Sequence, residues 1–180
     1  WSAKCLRRRE FPEYLYAYLN ESSVMDYRVH DPLRDALRAD GCFITEHFLS
    51  DRPDSLYIGP HFRIRHCEMI YRRPEPGLLL IVLYRRSDEK AGTLGNPFAE
   101  LIWFLRICTR PVFELSQIMG YISTHGYRHE QGLSEQRLTR FYRHFFDAEW
   151  VDYDGSLWLG KSVEALRVRL AQIRHKGNFR

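Results

Sequence analysis

The chain has 180 residues and a mass of 21.6 kDa, with 44% apolar, 14% aromatic and 28% charged side chains. That length suits a single domain able to bury roughly 70% of the surface its unfolded form exposes, so folding needs neither metal nor disulfide. The longest apolar run, 78-LLLIVLY-84, is far short of the about 20 residues a membrane-spanning helix takes, which excludes such a span.

Residues 1–10 are a basic lead-in without the apolar core of a signal peptide. Positions 11, 14, 15, 18 and 19 then repeat aromatic and apolar residues at helical spacing. A second helix is expected over 31–39, capped by Asp31, with Pro32 in its first turn and Gly41 at its end. The turn-rich 50-SDRPDS-55 separates this helical N-terminal segment, residues 1–50, from an α/β core over 56–180.

The core opens with strands expected over 56–58, 61–71 and 78–86, where β-branched and aromatic residues dominate. Residues 72-RRPEPG-77 read as a hairpin turn, and the uninterrupted 78–84 run reads as a central strand covered on both faces. A helix follows from Asn96 and Pro97, with Phe98, Leu101, Ile102, Leu105 and Cys108 on its apolar side, ending before Pro111. A short strand near 118–123, a helix over 135–146 capped by Ser134, a strand over 156–159 and a closing helix over 163–174 complete the pattern. The fold class is α+β, a mixed or antiparallel sheet flanked by helices.

The formal net charge of +4 comes from 27 basic and 23 acidic groups, and 23 of those cations are arginine. Arginine presents a planar fork suited to carboxylate or phosphate, although GC-rich coding raises arginine content by itself. Arginine richness alone does not make a nucleic-acid binder. The more specific feature is a cluster projected onto one hairpin: Arg63, Arg65, Arg72, Arg73, Arg85 and Arg86. With 61–71 as one strand, Arg63 falls opposite Arg86 and Arg65 opposite Tyr84, and like charges so opposed destabilise a sheet. Either intervening carboxylates relieve them or they form a docking face for an acidic partner.

Catalytic and metal signatures are sparse. Cys5, Cys42, Cys67 and Cys108 are far apart with no CxxC pair, so reduced cysteines and no zinc site are expected. The H-x-E of 66-HCE-68 lacks the downstream cysteine pair of a zinc deaminase. His125 and His129 flank Gly126 and read as loop residues. No nucleophile elbow, P-loop or H-E-x-x-H occurs, and no cofactor is implied.

Two resemblances bear on function. A central strand, a Gly-containing loop, a helix, a strand and a helix bearing Phe-Tyr resemble the second half of a GCN5-type acetyltransferase. That resemblance implies a coenzyme A pyrophosphate on Gly92, Gly95 and Asn96, and Tyr142 as the acid that protonates the leaving thiolate. The family's R/Q-x-x-G-x-G/A is here 90-KAGTLGN-96, with acidic Asp88 and Glu89 beside it. The words 96-NPFAEL-101 and 134-SEQRLTRFYRHFFDA-148, with Trp158 and Leu159 after them, resemble the low-calcium-response protein R (LcrR) family over residues 78–160. This second resemblance implies a cytoplasmic bacterial regulator of type III secretion. Such a protein is not an enzyme and binds other secretion components, as a chaperone does. A homodimer remains open, and Tyr14, Tyr16, Tyr18 and Trp150 are aromatic contact candidates.

Overall fold

A computed structural model describes residues 30–86, 96–122 and 135–174. Helix α1 (Pro32–Ala39) starts as its sequence dictates: the Asp31 carboxylate accepts from the Leu33 amide at 3.0 Å, and Pro32 occupies the first turn. Gly41, at φ +90°, ends it in the left-handed conformation that costs glycine nothing.

Seven strands follow in one sheet: β1 (Phe43–Phe48), β2 (Tyr57–Ile64), β3 (Cys67–Arg72), β4 (Leu78–Arg86), β5 (Gln117–Tyr121), β6 (Glu149–Tyr153) and β7 (Ser156–Ser162). Their order is β1-β2-β3-β4-β5-β7-β6. Every neighbouring pair is antiparallel except β4 and β5, which run parallel. The parallel pair needs a crossover, supplied by helix α2 (Ala99–Cys108). The β5–β6 connection carries helix α3 (Glu135–Arg140), which continues as a wider π-helical turn over Phe141–Phe145. Helix α4 (Val163–Arg174) leaves β7 directly.

The core has two parts, one on each face of the sheet. Leu79 and Ile81 of β4 join Leu33 and Leu37 of α1, Phe104 of α2, Tyr142 of the π turn and Leu166 of α4 in the larger cluster. Leu78, Leu80 and Val82 join Ile58, Ile70, Met119, Tyr121 and Trp158 in the smaller one. β4 is therefore central and buried on both sides, as its seven-residue apolar run requires. Helix α2 buries residues around most of its circumference, so it is an interior helix rather than an amphipathic surface one.

Four expectations are corrected. Phe43–Phe48, inside the stretch read as helical, is the edge strand β1, paired with β2. The strands expected over 56–58 and 61–71 are divided elsewhere: β2 runs unbroken over Tyr57–Ile64 through Gly59 and Pro60, and β3 follows after a turn at Arg65–His66, with Arg65 at φ +52°. That turn contains no glycine, proline, asparagine or aspartate, so it gave no signal. A further strand, β6, precedes the 154–155 turn. Helix α2 begins at Ala99 rather than at Pro97, because the Asn96 side chain accepts from the Phe98 amide at 3.0 Å and closes a turn first.

Candidate functional site: the charged ends of the β2–β3–β4 strands

Two features change the pairing expected on the hairpin: the break at Arg65–His66, and a β3–β4 register that sets Tyr71 opposite Ile81, with an irregularity between Ile70 and Tyr71. Arg63 lies opposite Glu68, and Glu68 lies opposite Arg85. Arg63 is therefore not opposite Arg86, and Arg65 sits in the turn rather than opposite Tyr84. Cys67 occupies the position across from Arg86. The opposed like charges are resolved by an intervening carboxylate.

Glu68 is the hub of this end. Its carboxylate is 3% exposed and accepts from Arg85 Nη2 at 2.9 Å and from His61 Nε2 at 3.1 Å, with Arg63 Nη2 at 3.9 Å. Burial pushes its pKa up, but the His61 hydrogen bond and the Arg85 charge outweigh that and hold it at about 2. His61 Nδ1 meets Thr45 Oγ1 at 3.4 Å, so the array crosses four strands. Next to it, burial together with the neighbouring His61 pushes the His47 imidazole down to about 4. His47 is therefore neutral at ordinary pH.

The tip of this hairpin clasps the start of α2. Cys67 Sγ donates to Glu100 Oε2 at 3.4 Å, and Tyr84 donates to the Pro97 carbonyl at 2.7 Å. Burial pushes the Cys67 thiol up to about 12, so it stays protonated as a donor. Arg65 approaches Glu100 Oε1 at 3.9 Å while its side chain stays 74% exposed. Arg63 is 66% exposed.

The remaining arginines have different surroundings. Arg73 is buried at the opposite end of β3, where Nη1 donates to Asp31 Oδ1 and Nη2 to the Phe113 carbonyl, both at 3.1 Å. The same Asp31 accepts from the Tyr71 hydroxyl at 2.7 Å. Arg72 is also buried and donates to the Tyr57 carbonyl at 2.9 Å. Arg85 and Arg86 are half-buried. The six arginines therefore do not share one face: Arg63 and Arg65 look outward, while Arg72 and Arg73 are structural donors. Glu68 and Glu100 are the site residues that sequence reasoning missed. The available signal was that Glu68 is the only carboxylate between Asp54 and Glu75, inside an arginine-rich stretch.

For the acetyltransferase alternative, Gly92 and Gly95 lie outside the described residues, and Asn96 uses its side chain on the turn before α2. Tyr142 lies beneath β5, packed so closely on Gly120 that a Cβ there would meet its ring at 2.6 Å. Burial pushes its phenol pKa up. Cys42, Cys67 and Cys108 are buried free thiols, and no metal-ligating cluster occurs among the described residues. Cys5, His125, His129, Tyr14, Tyr16 and Tyr18 lie outside the described residues, whereas Trp150 on β6 is 44% exposed. No described helix is long and apolar enough to cross a membrane.

A family model described as a type III secretion system regulator (LcrR) matches residues 30–176, which takes in all seven strands and all four described helices. No curated protein and no solved structure matches the chain. The chain belongs to the LcrR family of type III secretion system regulators.

Proposed function

We propose that this chain regulates type III secretion from the bacterial cytoplasm by binding other secretion components, as a chaperone or timing factor, and that it contributes Arg63 and Arg65 to the contact. The observation that supports this is the family match over residues 30–176. The location is suggested by the hairpin tip, where two exposed arginines surround carboxylates already engaged inward. An acidic partner surface would meet cations held close to position by Glu68 and Glu100 respectively, which lowers the ordering cost of contact.

The test is affinity capture from the native bacterium with the wild-type chain and with Arg63→Gln/Arg65→Gln. Wild type should enrich secretion subunits, and the variant should recover them several-fold less. Absence of any secretion subunit in the wild-type capture would refute the reading.

A second reading, a divergent acetyltransferase, is favoured by one observation: a parallel β4–β5 pair joined through α2. The burial of Tyr142 beneath Gly120 weighs against it. Acetyl-coenzyme A at 100 times its Kd should raise folding stability by about 2.7 kcal/mol if the fold holds it, and leave melting unchanged otherwise.

A further inference from the structure

The α3 region carries a feature that the hairpin does not. Phe98, just before α2, stacks on Phe141 with centroids 3.9 Å apart and planes 9° from parallel. Phe141 in turn stacks on Phe145 at 5.0 Å and 16°. The outer end of this ladder is closed by Arg169, whose guanidinium lies 5.6 Å from the Phe145 centroid and whose Nε donates to the Phe145 carbonyl at 2.7 Å. The backbone beneath the last two rings is the π-helical turn, an uncommon winding that recurs at functional sites.

Alongside the ladder runs an open groove of about 320 Å³ lined by Phe98, Phe141, Phe145, Arg137, Arg140 and His144. Phe98 and Phe145 are half-buried, whereas Arg140 and His144 are exposed. The described lining therefore combines an apolar floor with basic walls and contributes no carboxylate of its own. This differs from the hairpin, where Glu68 and Glu100 sit among the cations.

We propose that this groove seats an acidic segment of a partner protein, with an apolar or aromatic side chain on the ring ladder and carboxylates on Arg140 and His144. The inference rests on the reading above that the chain acts through protein contacts, and it names the chemistry of one such partner. Charge complementarity selects an acidic occupant. Ring geometry favours a peptide over a nucleobase, because the Phe141 ring is stacked by Phe98 and by Phe145, and Arg169 lies over Phe145. A base needs an open face to stack on, whereas ring edges carry the positive part of the quadrupole and accept carboxylates and aliphatic groups.

The probe is a fluorescein-labelled helical peptide rich in Asp and Glu, with two Phe anchors four residues apart, read by fluorescence anisotropy. Wild type should bind it saturably, more weakly as salt rises. Arg140→Glu/His144→Glu should lower affinity about tenfold or more without shifting the melting temperature, a fold-change in the range charge reversal produces. A peptide with Ser in place of both Phe anchors should lose a similar factor, and Arg63→Gln/Arg65→Gln should bind the original probe as wild type does. No saturable binding, binding indifferent to the charge reversal, or displacement of the peptide by an adenine mononucleotide at lower concentration would overturn the proposal. The two readings fail separately. Secretion subunits captured equally by wild type and Arg140→Glu/His144→Glu overturn the groove and leave the regulatory function standing. Probe binding confined to the groove, with no secretion subunit captured by wild type, does the reverse.

Discussion

Arg72 and Arg73 stand at one end of the β3 region, and Arg63 and Arg65 stand just before the other. In sequence the two pairs are equivalent: basic residues flanking one apolar strand. In the fold, Arg73 is enclosed with Asp31, Tyr71 and the Phe113 carbonyl, while Arg63 and Arg65 lie at the rim of a buried carboxylate hub. The difference lies in where the counter-charge comes from. Asp31 reaches Arg73 from 42 residues away and pins α1 to the sheet. Glu68 is on the strand adjacent to Arg63, so it neutralises from within the sheet and leaves the rim in water. Buried pairing makes an arginine part of the fold, and rim pairing leaves it available for contact.

The sharpest way to break this comparison is Asp31→Ala. It removes the partner of a buried guanidinium, a hydrogen-bond acceptor for Tyr71 and the cap of α1. The expected loss is about 3–5 kcal/mol in urea unfolding, the range for a buried ion pair deprived of one member. A loss below about 1 kcal/mol would show that the Arg73 end is no more structural than the rim.

The rim end should show its buried interior through pH. Glu68 titrates near 2 in the folded chain against 4.5 for an ordinary carboxyl, so its contribution is complete above pH 4.5 and is lost as pH falls toward 2. His47 titrates near 4 against 6.5, so the unfolded chain takes up that proton first and stability falls as pH drops from 6.5 to 4. Each limb amounts to about 3 kcal/mol at most. Urea midpoints measured across these windows should lose the upper limb in His47→Leu and the lower limb in Glu68→Gln.

Gly120→Ala provides an uncharged control away from both ends. Its new Cβ would lie 2.6 Å from the Tyr142 ring, so overpacking should cost about 1–3 kcal/mol in thermal unfolding. An unchanged melting temperature would mean that the π turn yields easily and that Tyr142 is less fixed than its burial indicates. The smallest effect belongs to Arg63→Gln/Arg65→Gln. Stability should stay within about 0.5 kcal/mol of wild type, as for exposed side chains generally, although partner capture falls.

Much of the framework was legible in the sequence. α1 is announced by Asp31, Pro32 and Gly41, and α4 begins and ends where its apolar periodicity does. The 78–84 run predicted a central strand, and β4 is fourth of seven in the sheet with both faces in a core. The family words lay in the second half, within the segment the family model covers. The strand break at Arg65–His66 was not legible, because left-handed Arg65 is held by the pairing on either side of it rather than by turn-forming residues. β1 was hidden for a related reason: 43-FITEHF-48 is short, and only its ladder with β2 distinguishes it from the end of a helical region. The ring ladder was missed because Phe98 and Phe141 lie 43 residues apart.

The sequence by itself determined the class of fold, the central strand, the caps of α1 and the family. The first three follow from local signals: periodicity of 2 or 3.6 residues, capping side chains, and runs long enough to be buried on both faces; the family rests on the match over residues 30–176. Tertiary structure alone decided which arginines are structural and which face solvent. Exposure depends on a counter-charge brought from a distant helix cap or a neighbouring strand, and a change in strand register reassigns the partners along it at once.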